Sequence, residues 1–301
     1  MIRIGIVGFD TSHTVEFTKR INHANIAKEQ WVEGAEIVAG YSLPSSEFMS
    51  EEYIAKTKQT LRDELGVKIV NSPQEMMEIT DAVMVEYQGG NRHLEAALPF
   101  LQAGLPTFVD KPFTCSVADA KKLVNLAQET AAPLFSSSSL RYALEIQKLK
   151  PIGSETGTVL GADVYSPSPL HPQNPGLFHY GIHGVEMLYS LMGQGCESVR
   201  CVFEDGWEIT VGQWEDGRIG TMRGIRRGAS SYGFLTFCEK KVVASTIDLR
   251  YIYRELVKQI VKMFQTRIAP IEPEETVEII AFIEASMKSA ERDGIELELK
   301  K

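Results

Sequence analysis

The first 137 residues alternate short apolar runs with longer segments of helical periodicity, and this alternation constrains the fold more than any other feature. Runs of this length suit buried strands, and the segments between them are long enough to cross back over a sheet. The predicted strands cover residues 2–7, 35–41, 68–70, 82–86, 107–109 and 134–137. Strand and helix in strict alternation predict an α/β fold with a doubly wound parallel sheet of the Rossmann type.

Beyond residue 139 the pattern changes to one of successive strands. Helices are predicted over residues 140–149, 177–192, 251–265 and 273–292, and strands over residues 158–165, 198–204, 207–213, 217–224, 232–238 and 240–246. Short turns such as "EDGW" and "EDGR" separate the strands, which favours an open and mainly antiparallel sheet. The chain is therefore predicted to hold two domains, residues 1–135 and residues 136–301, the second of α+β type.

Composition excludes several classes of protein. The 301 residues carry a formal net charge of −9, which argues against a nucleic-acid partner. No apolar run reaches the ~18 residues that a membrane helix needs, so no membrane partner is expected. The four cysteines include no CxxC pair, and reduced thiols are expected. Because the chain starts directly with a strand pattern rather than a leader, a cytoplasmic location is predicted.

Polar residues and glycines follow the predicted parallel strands, where such sheets bind their ligands. The turn after the first strand reads "GFDTSH", and the positions expected to contact a dinucleotide there are Gly8, Phe9, Asp10, Thr11, Ser12 and His13. Asp10 and His13 stand where the dinucleotide fingerprint has its second and third glycines. Two outcomes are possible. In the first, Asp10, Thr11 or Ser12 caps the next helix and the helix start still binds phosphate; in the second, the phosphate site is lost.

The end of the second strand bears on which dinucleotide is bound. An acidic residue at this position would hold the adenosine ribose of NAD, and none is present. Ser42 would hydrogen-bond a 2′-phosphate, although no arginine stands beside it in the sequence. The expected cofactor is therefore NAD or NADP, with a lean towards NADP.

Four motifs in order carry a resemblance to a known family. They are the strand–GxxG turn, "NRHLEAALPFLQAG" after the fourth strand, "DKP" after the fifth, and "HYGIHGVEMLYSLMG" at the start of a later helix. Together they resemble the glucose–fructose oxidoreductase, inositol dehydrogenase and MocA family. The resemblance implies an NAD(P)-binding Rossmann domain, and a second domain that binds substrate and joins subunits through its sheet into a homo-oligomer.

The resemblance also implies the catalytic residues. Asp110-Lys111-Pro112 matches the family's EKP motif, which places Lys111 near the nicotinamide and the reacting hydroxyl, with a cis bond often found before the proline. His183 matches the catalytic histidine, whose imidazole suits proton transfer near neutral pH. His179, four residues earlier and therefore on the same face of the predicted helix, replaces a family aspartate.

Other positions follow from the same match. Gln88, Asn91 and His93 follow the fourth strand, where the family contacts the cofactor, and they are expected to do so together with Asp110 and Lys111. Arg141 matches a family arginine and is expected either to contact substrate or to form a domain-interface ion pair. Substrate would thus meet Lys111, Arg141, His179 and His183.

The predicted activity is hydride transfer between nicotinamide and a secondary alcohol or ketone of a sugar, cyclitol or related polyol. Three alternatives remain open. One is a lyase, epimerase or hydrolase with tightly held NAD, and another is a non-enzymatic dinucleotide or ligand sensor. The third is a metal-dependent activity at His179, His183 and Glu186, since histidines at i and i+4 suit zinc. The predicted dehydrogenase activity itself is expected to involve no metal.

Overall fold

The protein is described from a computed structural model, which covers residues 1–43, 46–149 and 155–301. The chain forms two compact units. The first contains residues 1–114, 118–137 and 253–273, and the second contains residues 115–117, 138–252 and 274–301.

Thirteen strands occur in the described residues: β1 (Ile2–Val7), β2 (Ala35–Tyr41), β3 (Lys68–Ile69), β4 (Ala82–Val85), β5 (Thr107–Val109), β6 (Leu134–Ser136), β7 (Val159–Pro167), β8 (Cys196–Glu204), β9 (Trp207–Trp214), β10 (Ile219–Ile225), β11 (Gly233–Cys238), β12 (Val242–Thr246) and β13 (Leu297–Glu298). The α-helices of the same residues are α1 (Ser12–Ile21), α2 (Glu51–Asp63), α3 (Pro73–Met77), α4 (Gly90–Gln102), α5 (Val117–Glu129), α6 (Leu144–Gln147), α7 (Gly181–Met192), α8 (Ile252–Thr266) and α9 (Pro273–Ala290). None of these helices is both long and apolar enough to cross a membrane.

The first unit is built on a six-stranded parallel sheet in the order β3-β2-β1-β4-β5-β6. Every residue of β4, β5 and β6 is buried, as expected of strands covered on both faces. The strand order reverses direction between β1 and β4, which is the switch point where doubly wound sheets bind ligands. The predicted parallel sheet is confirmed, and the described strands agree with prediction to within one residue.

The boundaries of the units differ from the predicted division at residue 135. The main boundary lies between Ser137 and Ser138, but α8 returns to the first unit. Tyr253 of α8 packs its ring edge-on against Phe17 of α1, and Gln265 donates a hydrogen bond to the carbonyl of Gly34. The sequence of an amphipathic helix does not indicate which unit its apolar face packs against. A division of the chain at a single residue therefore could not predict that α8 belongs to the first unit.

The second unit contains a seven-stranded sheet in the order β12-β11-β7-β10-β9-β8-β13. Only β7 and β10 pair in parallel, and the other neighbours are antiparallel, as predicted. Helix α7 approaches this sheet closely at Gly184, where an added Cβ would lie 2.8 Å from the Ser166 hydroxyl. Trp214 is buried and Trp207 is 48% exposed, which matches their alternation along β9.

The second unit differs from the sequence prediction at several points, including an interrupted helix and an unpredicted edge strand. The helix predicted over residues 140–149 is interrupted at Ala143, whose ψ of 137° is extended, so a 3₁₀ turn (Ser139–Tyr142) precedes the short α6. The Ser138 hydroxyl accepts a hydrogen bond from the Leu140 amide and starts that turn. The two-residue β13 was not predicted; it pairs with Ser198 and Val199 at the sheet edge.

Candidate functional site

The turn between β1 and α1 runs against the end of β4. Gly8 has a φ of +95°, and a Cβ added there would lie 2.8 Å from the backbone nitrogen of Tyr87. The Thr14 hydroxyl donates to the Gly8 carbonyl at 2.8 Å and ties the start of α1 to the turn. Only glycine combines this backbone conformation with so close an approach, so the one fingerprint glycine retained here is required by the turn itself.

Asp10 lies in this turn with its carboxylate directed at neighbouring loops. It accepts a hydrogen bond from the Gln88 amide at 3.0 Å and another from the Ser46 hydroxyl at 2.5 Å. These bonds join the loops after β1, β2 and β4. Thr11, rather than Asp10, caps α1 by accepting a hydrogen bond from the His13 amide. The Asp10 carboxylate is thus satisfied by protein donors, and the helix cap comes from a neutral hydroxyl.

His13 and Asp110 form a buried pair in the first unit. The Nδ1 atom of His13 lies 2.7 Å from the Asp110 carboxylate, and its ring stacks on Phe17 with centroids 4.9 Å apart. Burial opposes ionisation of Asp110, but His13 and Lys111 lower its pKa to about 2. Lys111 follows at the carboxyl end of β5, is 9% exposed, and is joined to Pro112 by the expected cis peptide bond.

Two predicted cofactor contacts lie in the interior. His93 has no exposed surface, and its ring nitrogens lie 2.8 Å from the Pro112 carbonyl and 2.7 Å from the Tyr87 carbonyl. The imidazole therefore holds the DKP turn against the end of β4 and does not contact a ligand directly. The ring of Phe9 is also buried and lies against Gly40 of β2. Both expectations are corrected, because neither side chain reaches the surface of the edge.

The remaining predicted positions of this unit lie nearer its surface. Ser42 is half-buried and donates to the Leu43 carbonyl, and Asn91 is exposed at the start of α4. A cavity of about 110 Å³ beside the end of β2 is lined by residues including Tyr41, Leu43 and Arg92. Arg92 comes from α4, about fifty residues along the chain from Ser42, so sequence adjacency to the second strand could not reveal it.

In the second unit, His183 sits in the first turn of α7 among polar and aromatic groups. Its Nδ1 lies 2.6 Å from the Ser138 hydroxyl. The rings of Tyr180 and Tyr232 approach the imidazole edge-on at centroid distances of 5.6 Å and 5.9 Å. Ser138 was not predicted; the run of four serines at residues 136–139 was the available signal. The Ser138 hydroxyl thus engages the Nδ1 side of the His183 ring.

His179 is not on the same helix face as His183. A short 3₁₀ helix ends at Phe178 and α7 begins at Gly181, so His179 lies in the connection between them. Its ring stacks on His171 at 4.9 Å and meets Tyr180 edge-on at 5.0 Å. The predicted shared helix face is therefore wrong, because the helix starts two residues too late. His171, from the proline-rich loop, was missed by the sequence analysis.

Arg141 belongs to a buried ion cluster of the second unit. Its Nε lies 2.6 Å from Glu186 and its Nη1 lies 2.7 Å from Glu275. Burial works against the charged guanidinium, yet the two carboxylates raise the pKa of Arg141. The domain-interface ion pair expected for Arg141 is corrected, since the described carboxylates that pair with it, Glu186 and Glu275, lie in its own unit. Its expected contact with substrate stays a prediction. Glu186 is likewise engaged, which removes it from the metal set proposed with His179 and His183.

Comparison with known proteins gives matches in family, sequence and fold. The family model GFO_IDH_MocA, described as "Oxidoreductase family, NAD-binding Rossmann fold", matches residues 2–137. The chain is 26% identical over 200 residues to a myo-inositol 2-dehydrogenase of Thermotoga maritima, a match that covers 57% of this chain and 58% of that relative, less than two thirds of its length.

Solved structures agree over nearly the whole chain. A structure described as a probable dehydrogenase from Thermotoga maritima superposes with a TM-score of 0.81 at 19% identity, covering 99% of both chains. GenD2 from gentamicin A biosynthesis, solved in complex with NAD, gives a TM-score of 0.78 at 16% identity and covers 100% of this chain and 97% of its own. At these identities the likeness shows a shared fold.

Proposed function

We propose that this chain, whose residues 2–137 match the model of the Gfo/Idh/MocA oxidoreductase family, belongs to that family and is an NAD(P)-dependent dehydrogenase. It would act on a secondary alcohol or ketone of a sugar, cyclitol or related polyol. When bound, the nicotinamide would supply the hydride acceptor or donor. The observation that carries the proposal is the position of Lys111, fixed directly after β5 by Asp110 and a His93-braced turn.

The first turn of the chain fits a dinucleotide despite its altered fingerprint. Gly8 holds the backbone against the end of β4, where a Cβ would not fit. Thr11 caps α1 with a neutral oxygen, so the amides at the start of this ten-residue helix carry no neighbouring carboxylate cap. Helix N-termini attract phosphate through such amides and the helix dipole. Asp10 is held aside by Gln88 and Ser46, which lessens its repulsion of a pyrophosphate.

Lys111 and His183 would handle the proton of the reacting hydroxyl. An ammonium group stabilises a developing alkoxide, and an imidazole accepts or returns a proton near neutral pH. The Ser138 hydroxyl engages Nδ1 of His183, which would fix the orientation of the ring towards the reacting hydroxyl. His179, stacked on His171, would bind substrate hydroxyls, since imidazoles both donate and accept hydrogen bonds.

The experiment that tests this proposal combines cofactor binding with a substrate screen. Calorimetry with NAD⁺ and NADP⁺ would come first, followed by polyols and sugars monitored at the reduced-nicotinamide absorbance. We expect turnover that falls by at least about 100-fold in Lys111→Ala and in His183→Asn, while dinucleotide affinity stays within a few-fold. His23→Asn, on the opposite end of α1, is the matched control and should retain full turnover.

Contrary outcomes are distinct. Product formed with no net change in reduced nicotinamide would replace the dehydrogenase with a lyase, epimerase or hydrolase that holds NAD tightly. Dinucleotide binding without any chemistry, and with both variants retaining the biological role, would indicate a sensor.

We also propose that the second unit pairs with another copy through its open sheet face. Trp207, Ile219 and Phe237 all project from one face, at 48%, 51% and 41% exposure. Large apolar side chains on one open sheet face are typical of an interaction surface. Light scattering on the purified chain should give more than one copy, and Ile219→Asp should shift the mass to that of one chain. A wild-type mass equal to one chain would exclude this pairing.

A further inference from the structure

Three side chains of ligand type meet at the carboxyl edge of the parallel sheet. Glu86 directly follows β4, Asp110 directly follows β5, and His13 lies in the first turn of α1 after β1. These three strands are neighbours in the sheet, so its topology brings their ends together. One potential ligand atom from each residue lies within 4.8 Å of the other two, and all three residues are buried. We call this group the His13–Glu86–Asp110 cluster.

Glu86 gives this cluster its unusual electrostatics. Its side chain has no exposed surface, and neither carboxylate oxygen has a hydrogen-bond partner among the described residues. The Oδ1 atom of Asp110 is also buried and without such a partner. Burying an ionised carboxylate without donors costs several kcal/mol, so this position calls for either a proton or a cation. Burial and the nearby charge of Asp110 raise the pKa of Glu86 well above its ordinary value, and Lys111 offsets this only in part.

We infer that the His13–Glu86–Asp110 cluster binds one divalent transition-metal ion of the Mn²⁺ to Zn²⁺ series. One imidazole and two carboxylates form a ligand set that such ions accept, whereas Mg²⁺ and Ca²⁺ prefer oxygen ligands alone. This site differs both from the metal alternative at His179, His183 and Glu186 and from the expectation of no metal.

The His13–Asp110 pair requires only a small adjustment to hold an ion, and the Glu86 carboxylate lies within 4.8 Å of both ligand atoms. With metal–ligand distances of about 2.1 Å, tetrahedral ligands lie about 3.4 Å apart. The His13 nitrogen and the Asp110 oxygen are now 2.7 Å apart, so this pair would open by less than 1 Å as the ion replaces the shared proton. The His13 ring is already oriented by Phe17 and by Tyr253, whose ring meets it edge-on at 5.0 Å.

A bound ion would connect the start of α1 to the residue that precedes Lys111. Since Asp110 is covalently joined to Lys111, fixing the Asp110 carboxylate also fixes the turn that carries the lysine. The site is thus placed to couple metal occupancy to the position of Lys111. The inference goes beyond the proposed dehydrogenase activity and does not depend on it, because metal binding is measured without dinucleotide.

The test is a titration of chelator-treated full-length protein with Co²⁺, followed by its visible absorption bands and by calorimetry. We expect one Co²⁺ per chain, displaced by Zn²⁺ and unaffected by excess Mg²⁺. Glu86→Gln, which keeps the side-chain shape, and His13→Ala should each weaken Co²⁺ binding by at least about 100-fold. Should His13→Ala fail to fold, the wild-type titration and Glu86→Gln still decide the matter.

Two controls separate this inference from the proposed function. His23→Ala removes an imidazole of the same unit that bonds the Val32 carbonyl, and it should leave one Co²⁺ per chain. His183→Asn should lower turnover by at least about 100-fold and leave Co²⁺ binding intact. The inference is overturned if no stoichiometric Co²⁺ binds, or if Glu86→Gln binds it as tightly as the wild type. An infrared band of a protonated carboxylic acid that persists with Co²⁺ present and disappears in Glu86→Gln would also overturn it, by assigning the site a proton instead.

Discussion

The Arg141 guanidinium lies 2.6 Å from the Glu186 carboxylate, and both side chains are buried in the second unit. Glu275 approaches the same guanidinium at 2.7 Å. The Arg141 carbonyl accepts hydrogen bonds from Gln147 and from the Ser190 hydroxyl. The cluster thereby joins the 3₁₀ turn after Ser138 to α7 and α9, and it holds the two elements that position His183.

Removing Arg141 should therefore destabilise the protein strongly. Arg141→Ala leaves the buried Glu186 carboxylate and the partly buried Glu275 carboxylate without their cation, and breaking a buried ion pair in this way costs about 3–5 kcal/mol. Chemical denaturation followed by circular dichroism measures the loss. Arg200→Ala is the matched control, because Arg200 also lies 2.6 Å from a carboxylate, that of Glu296, but on the exposed surface. Its effect should be much smaller than that of Arg141→Ala, and equal losses in the two variants would contradict the structural role of Arg141.

Stability should also depend on pH through Glu186. Burial raises the pKa of Glu186 above 4.5, and Arg141 reverses this only in part. Between the unfolded value and the raised native value, the folded protein holds more protons than the unfolded chain, so its free energy of unfolding falls as pH rises. The wild type should therefore lose stability relative to Glu186→Gln as pH increases through this window.

Glu296 provides a control of opposite sign. The hydrogen bond from Arg200 lowers the pKa of Glu296, so its stabilising contribution is present above the unfolded pKa and is lost as pH falls towards the native one. Unfolding curves at a series of pH values for Glu186→Gln and Glu296→Gln should diverge from the wild type in opposite directions. Parallel curves would show that the Glu186 carboxylate is not shifted as described.

The architecture was predictable because its signals are local. Apolar runs identify buried strands. Turn residues mark where elements begin and end, as Ser72 and Pro73 do when they cap and begin α3. The doubly wound sheet and the antiparallel second sheet follow from the order of these signals. The assignment of α8 to the first unit was not predictable, since it depends on contacts such as that of Tyr253 with Phe17, far apart in sequence.

The site was predicted only in outline. The sequence motifs predict the DKP turn with its cis bond and the helix that carries His183. They do not distinguish a side chain that contacts a ligand from one that holds neighbouring segments together in the interior. His93 and Arg141 both make such internal contacts. Their burial and their hydrogen-bond partners depend on side chains from distant segments, which a local motif does not contain. Glu86 was not predicted as a site residue for a related reason. A single glutamate at the end of a predicted strand is usually exposed to solvent, and its sequence context does not indicate burial.

Gly8→Ala should test how tightly the first turn is constrained. Gly8 and Gly217 both have positive φ, but an added Cβ at Gly8 would meet Tyr87, whereas nothing lies within 4 Å of one at Gly217. Gly217→Ala should cost about 1–2 kcal/mol of backbone strain. Gly8→Ala should cost at least about 1 kcal/mol more through overpacking, and thermal unfolding measures both. Similar losses would mean that the turn relaxes away from β4.

Arg92 provides the sharpest test of cofactor preference. It lines the cavity beside the end of β2 together with Tyr41 and Leu43, and its guanidinium lies 6.0 Å from the Tyr87 ring centroid. A guanidinium is suited to a 2′-phosphate, whereas the ribose hydroxyl of NAD is usually held by a carboxylate, which this strand end lacks. Charge-assisted hydrogen bonds contribute about 1.5–3 kcal/mol, so Arg92→Ala should weaken NADP⁺ binding by roughly 10- to 100-fold and change NAD⁺ binding little.

Calorimetry with both dinucleotides measures this change directly. Arg62→Ala is the control, since Arg62 is an exposed arginine of the same unit that pairs with its neighbour Asp63; it should alter neither affinity. If Arg92→Ala weakens the two dinucleotides equally, Arg92 supports the fold of the cavity and does not read the phosphate. If neither affinity changes, Arg92 does not contact the 2′-position of the adenosine ribose. The hydroxyl of Ser42 would then be the side-chain group after β2 that contacts this position.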